Sequence, residues 1–250
     1  MSLPFTQPQT DTQLLAHKSR VDKCQGIACF EEVARLFDTR SPKKMEREIA
    51  GDRIKLDADG RPQYTNVCRR WLGGKCPSDD TLQDVARKSL IPSRLREWRD
   101  LLLWTLVQEP FPLSLSTLHD AMAQLSPPVR RIIFLAARPN IHGRYVRYDI
   151  GREKMLLLRD LCTLDAFMGL LALAREGELV NDDQRHAFPA MLAFNMFPRI
   201  VGQHPQLLAS WEDLYECIKL PFWSRIYDEN LILTISKEAV AEGLRSWLGG

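Results

Sequence analysis

The sequence predicts an all-α, multi-helical protein, and three observations carry that prediction. Apolar residues recur at the spacing of one buried helix face, as in Phe30, Val33, Ala34, Leu36 and Phe37. Ser-Pro and Pro-Ser pairs, Ser41-Pro42 and Pro77-Ser78, stand where helices would begin. Gly177, Pro198, Pro205 and Pro221 punctuate a second half made of long amphipathic stretches.

In chain order, residues 1–11 are polar, carry Pro4 and Pro8, and read as a flexible lead-in. A short helix is expected over 12–23, broken by Gln25-Gly26, with a second beginning near Phe30. Ser41-Pro42 opens the next. Residues 51–62 are irregular; the Asp59-Gly60 turn signal suits either a short β-hairpin or a plain loop. Leu95, Trp98, Leu101, Leu102 and Leu106 mark one helix over 92–107, and Glu109-Pro-Phe-Pro112 ends it. That Pro-rich stop divides the chain into an N-terminal helical module, 1–110, and a C-terminal helical domain, 111–250.

Helices over 114–125 and 129–137 follow, split by Ser126-Pro-Pro128. Residues 139–143 read as a loop and 144–149 as a short strand or extended arm. Helices are expected over 152–176, 183–197 and 205–219, and a last one from the cap Ser236 to Leu248. Residues 231–235 fit a strand or a helix end equally.

Composition excludes several classes. The 45% hydrophobic and 26% charged shares are those of a globular chain rather than a disordered one. No apolar run reaches the ~18 residues of a membrane span. The best candidate, near 156–174, is interrupted by Arg159, Asp160 and Asp165. No secretory leader is recognisable. Six cysteines in 250 residues are too sparse for a secreted disulfide framework, so a cytoplasmic protein with reduced thiols is expected. Cys24-x4-Cys29 and Cys68-x7-Cys76 are spaced more widely than structural zinc sites prefer, which favours buried thiols and no metal.

The net charge of +2 conceals a local excess: residues 40–75 hold 10 Lys/Arg against 5 Asp/Glu. A basic surface there suits a polyanionic partner. Inside it lies Tyr64-Thr-Asn-Val-Cys-Arg-Arg-Trp-Leu-Gly-Gly-Lys-Cys-Pro-Ser-Asp-Asp-Thr-Leu-Gln-Asp-Val-Ala-Arg87. It reads as a helix ending at Trp71-Leu72, a Gly73-Gly74-Lys75 turn, a Ser78 cap, and a second helix packed through Leu82, Val85 and Ala86. Val67 and Trp71 lie four apart and share an inward face. Gly73 or Gly74 can take the left-handed conformation that ends a helix, and Asp79 and Asp80 suit the first turn of the next.

Residues 63–90 resemble the recognition half of a lambda-repressor-like helix-turn-helix domain. The scaffold half departs from that pattern, because residues 51–61 intervene where a three- or four-residue turn belongs. The resemblance implies double-stranded DNA as partner. Gln63, Asn66, Arg69 and Arg70 are the residue types that read base edges and phosphates, with Thr65 and Lys75 on the backbone. A second basic–aromatic cluster, with Arg138, Arg144, Tyr145, Arg147 and Tyr148, adds Arg144 and Arg147 as phosphate contacts. Its alternative is a surface loop whose tyrosines lean on the core.

The expectation is therefore a bacterial-type DNA-binding protein: a transcriptional regulator, or a binder associated with mobile elements or defence. No catalytic residues and no cofactor are expected, since no nucleophile elbow, phosphate loop, dinucleotide fingerprint or zinc-protease motif occurs. The other reading is a helical adaptor or assembly subunit without DNA contact. The aromatic-rich second half, including Phe194, Trp211, Phe222 and Trp223, is mostly core and also suits a homodimer or partner interface.

Overall fold

The computed structural model describes residues 10–136, 138–224 and 237–249. The protein is all-α. Among the described residues the only β-type pairings are two isolated bridges, Leu56 with Pro62 and Phe134 with Arg147. So the hairpin considered for 51–62 is a single bridge, with Asp57 Oδ1 accepting from the Asp59 and Arg61 amides. Residues 231–235 and the expected cap Ser236 lie outside the described residues. No helix among the described residues is long and apolar enough to cross a membrane.

Two compact units can be distinguished: residues 11–104 with 204–214, and residues 105–203 with the chain from 215 onward. The first begins with α1 (Asp11–Phe37), α2 (Pro42–Ala50), α3 (Val67–Trp71), α4 (Asp79–Lys88) and α5 (Leu95–Arg99); α6 (Leu102–Leu106) runs to its edge. One 3-10 turn, Gly51–Arg53, extends α2. The core is formed by Cys29, Phe30, Val33, Met45, Trp71, Leu82 and their neighbours.

Gly26 does not break α1. A Cβ there would stand 2.1 Å from the Trp71 carbonyl oxygen and 3.2 Å from Gly74 Cα. The glycine is thus a point of close backbone approach, and tertiary contact overrides its poor helix propensity. The single helix expected over 92–107 is two. Asp100 and Leu101 interrupt it, and Trp104 Nε1 donates to the Trp98 carbonyl at 2.7 Å.

The second unit holds α7 (Leu115–Met122), α8 (Pro127–Ile133), α9 (Arg152–Leu161), α10 (Leu164–Leu179) and α11 (Asp183–Gln203). Beyond them come α12 (Pro205–Leu208), α13 (Trp211–Ile218), a π-helical turn at Lys219–Trp223, and α14 (Lys237–Leu248). The α12 segment belongs to the first unit, where it packs on α1 and Gln206 Nε2 donates to Glu32 at 2.9 Å. The helix expected over 152–176 divides at Cys162, whose φ of 45° ends α9, and the Thr163 hydroxyl caps α10 by accepting the Ala166 amide. α11 continues past Pro198 because packing holds it there: α10 and α14 both lie against it.

Arg175 organises this second unit. It is fully buried. Its guanidinium donates to the carbonyls of Leu106 and Gln108 and to Glu109 and Glu178, between the rings of Phe111 and Phe222. Each of its three nitrogens donates to at least one acceptor, which is what a buried cation requires.

Candidate nucleic-acid interface

The candidate surface is built on α3 and the turn after it. α3 is shorter than the sequence predicts. Asn66 takes a left-handed φ of 56° as its N-cap, so the helix begins only at Val67. Upstream, the backbone amide of Gln63 donates to the Lys55 carbonyl at 2.7 Å, so it is bonded outside the helix. Gln63 therefore precedes the helix rather than lying on it.

Trp71 is 1% exposed and anchors α3 beside half-buried Val67, as the four-residue spacing requires. Gly74 takes φ 94°, and the Gly74 and Lys75 amides donate to the Trp71 and Arg70 carbonyls. These bonds close the helix end. Ser78 caps α4 by accepting the Thr81 amide, and Asp79 in its first turn pairs with Arg99 at 2.8 Å. α2 packs against both α3 and α4.

With the indole turned inward, Asn66, Arg69, Arg70 and Lys75 lie exposed. Among the described residues no carboxylate pairs with Arg69, Arg70 or Lys75. Thr65 is exposed, but it is engaged by buried Glu46, whose Oε1 accepts from the Thr65 amide at 2.5 Å and from its hydroxyl at 2.7 Å.

Sequence reasoning missed a further basic feature of this unit. Arg53, Arg87 and Lys88 line an open cleft of about 280 Å³ with Ala50 and one acid, Asp84. Asp84 takes Arg53 at 2.5 Å and Arg87 at 2.7 Å, so two of the three cations share its one carboxylate. The three come from the end of a 3-10 turn and the last turn of α4, which no linear motif links.

Arg144 and Arg147 belong to the second unit and to different environments. Arg144 is exposed. Arg147 is almost buried, donating to Glu176 at 2.5 Å and to the Ile133 carbonyl at 3.1 Å, so its charge is already met. The neighbouring tyrosines lean inward. Tyr145 accepts from Arg130 at 2.9 Å and packs on Phe134, and Tyr148 donates to the Ile132 carbonyl.

Glu176 also meets His119 of α7 at 3.1 Å. Burial pushes the Glu176 carboxyl up, but His119 and Arg147 outweigh it and hold the group below the usual carboxylate range. Among the described residues, no group of three or more His, Cys, Asp or Glu side chains could hold a metal ion. No protein-family model, curated protein or solved structure matches this chain.

Proposed function

We propose that the protein binds double-stranded DNA through the exposed side of α3 and the turn 73–75. The observation that carries this reading is the trio Arg69, Arg70 and Lys75, solvent-facing and without acidic partners, beside a buried tryptophan that fixes the helix. Guanidinium groups of this kind suit phosphates or guanine edges, and a left-handed Asn66 at the helix start presents an amide beside them. The Arg53–Arg87–Lys88 cleft supports the same reading, since a polyanion gains from each added cation. A five-residue helix reaches few bases, so phosphate contact is the larger contribution. Regulatory roles and a homodimer formed through residues 111–250 belong to this proposal.

The test is a mobility shift on random duplex DNA at low salt, comparing the wild type with Arg69→Ala/Arg70→Ala. Binding by the wild type that the double variant loses is the expected result. Equal binding, or none in either, contradicts it.

The adaptor reading has its own observation. The Leu135 amide donates to the Val146 carbonyl, and Leu135, Ile141 and Val146 are 68%, 96% and 44% exposed around that arm. Apolar groups displayed together in this way suit contact with another protein. A stable co-purifying protein without nucleic acid would favour this second reading.

A further inference from the structure

The chemistry least expected from the sequence lies behind the candidate surface, where α1 meets the turn 73–76. Cys29 is fully buried on α1, one helical turn beyond Gly26. The turn is seated directly on that part of the helix. A Cβ on Gly26 would stand 2.1 Å from the Trp71 carbonyl oxygen, and one on Gly74 would stand 3.1 Å from the Lys23 nitrogen. Cys76 follows the turn two residues after Gly74, and its thiol lies against that of Cys29. Cys76 is exposed, whereas Cys24, Cys68 and Cys217 are buried and Cys162 is half-buried. All six thiols are free.

We propose that Cys29 and Cys76 are a redox-sensitive pair, in which a hydroperoxide oxidises Cys76 and Cys29 resolves it to a disulfide that pins the 73–76 turn to α1. Local sequence spacing groups Cys24 with Cys29 and Cys68 with Cys76; the fold instead brings together one member of each group. The environment divides the two roles. The Cys29 S–H, as donor, holds the Cys76 thiol below the ordinary cysteine range, with help from Arg99 and against burial and the charges of Asp22 and Asp100. The same hydrogen bond and burial push the Cys29 thiol up, so it stays protonated while Cys76 is reduced.

The steps balance. The Cys76 thiolate attacks one peroxide oxygen, the O–O bond breaks, and the other oxygen leaves and takes a proton to become water or an alcohol. Cys76 then carries a sulfenic acid. The Cys29 sulfur attacks the Cys76 sulfur, the S–OH bond breaks, and the hydroxide leaves as water with the Cys29 proton. Two thiols lose two electrons and two protons, and the peroxide takes up both. The buried partner needs no solvent access, because it already touches the sulfur it attacks.

The experiment treats the full chain with hydrogen peroxide, blocks remaining thiols with iodoacetamide after unfolding, and maps the unreduced protein by mass spectrometry. A Cys29–Cys76 linked peptide should accumulate, with the other four cysteines alkylated. Cys76→Ser changes an exposed residue, and Cys29 should then remain alkylatable. In Cys29→Ala the sulfenic acid has no resolving partner, so dimedone should label Cys76 about ten-fold more than in wild type. Sulfinic acid on wild-type Cys76 without the linked peptide, or linkage of a different pair, overturns the proposal; if Cys29→Ala does not fold, the wild-type and Cys76→Ser results still decide it.

Discussion

Replacing Gly26 by alanine sets two effects of opposite sign against each other. In the middle of an unconstrained helix, alanine is favoured over glycine by about 1 kcal/mol. Here the added methyl would stand 2.1 Å from the Trp71 carbonyl oxygen and 3.0 Å from its carbon. Neither can swing aside, because both are backbone, and that oxygen already accepts the Gly74 amide at 2.9 Å. Reaching ordinary contact demands a shift of about 1 Å between α1 and α3, in a core whose packing leaves little slack. Overpacking of this kind costs about 1–3 kcal/mol, and loosening the nearly fully buried Trp71 adds to it. The expected net loss is about 2 kcal/mol after the propensity gain is subtracted. In urea unfolding followed by far-UV circular dichroism, with a slope of about 2 kcal/mol/M, the first unit's midpoint should fall by about 1 M. An unchanged or raised midpoint would show that α1 and the turn are not in contact at Gly26, and would refute the reasoning for both the long helix and the cysteine pair.

Two other predictions test the second unit. Arg175→Met should destabilise it by about 4 kcal/mol, because Glu109 and the Leu106 and Gln108 carbonyls lose a fully buried partner. Arg175→Lys should recover only part of this in thermal unfolding, since an ammonium cannot reproduce the planar fork. For pH, Glu176 has its folded pKa depressed, so its stabilisation is complete above the unfolded value near 4.3 and disappears as pH falls through the folded value. Stability should therefore drop below about pH 4.3, and Glu176→Gln should flatten that segment of a stability-against-pH curve while costing stability at neutral pH.

Local sequence was sufficient where one helical turn decided the outcome. The Val67–Trp71 spacing, the Ser78 cap, a left-handed glycine in the 73–74 pair and the Ser41-Pro42 start are all present as read. It failed where a distant partner decides. Gly26 looks like a helix breaker until the Trp71 carbonyl is placed against it, and Arg147 looks like a free cation until Glu176 is found 29 residues later. Gln63 and Thr65 fall outside α3, which starts at Val67, because the Gln63 amide is bonded to the Lys55 carbonyl and the Thr65 amide to the Glu46 carboxylate. Glu32 shows the same limit: it is buried and accepts from Arg35, the Arg94 amide and Gln206, the last two far away in the chain. Burial pushes its carboxyl up, but these partners together hold it below the usual carboxylate range. Of the candidate interface, the residues around Trp71 could be named from the sequence, whereas the Arg53–Arg87–Lys88 cleft exists only once the end of α2 meets α4.

The central claim, that Arg69 and Arg70 face DNA phosphates, is tested most directly by the salt dependence of duplex binding. Affinity is measured across a range of salt concentrations for the wild type and for Arg69→Ala/Arg70→Ala, and log K is plotted against log salt. Two lost phosphate contacts should flatten the slope by about 2, with affinity weakened evenly across unrelated duplex sequences. Parallel lines for the two proteins would mean that these guanidinium groups release no counterions on binding, and would contradict the account.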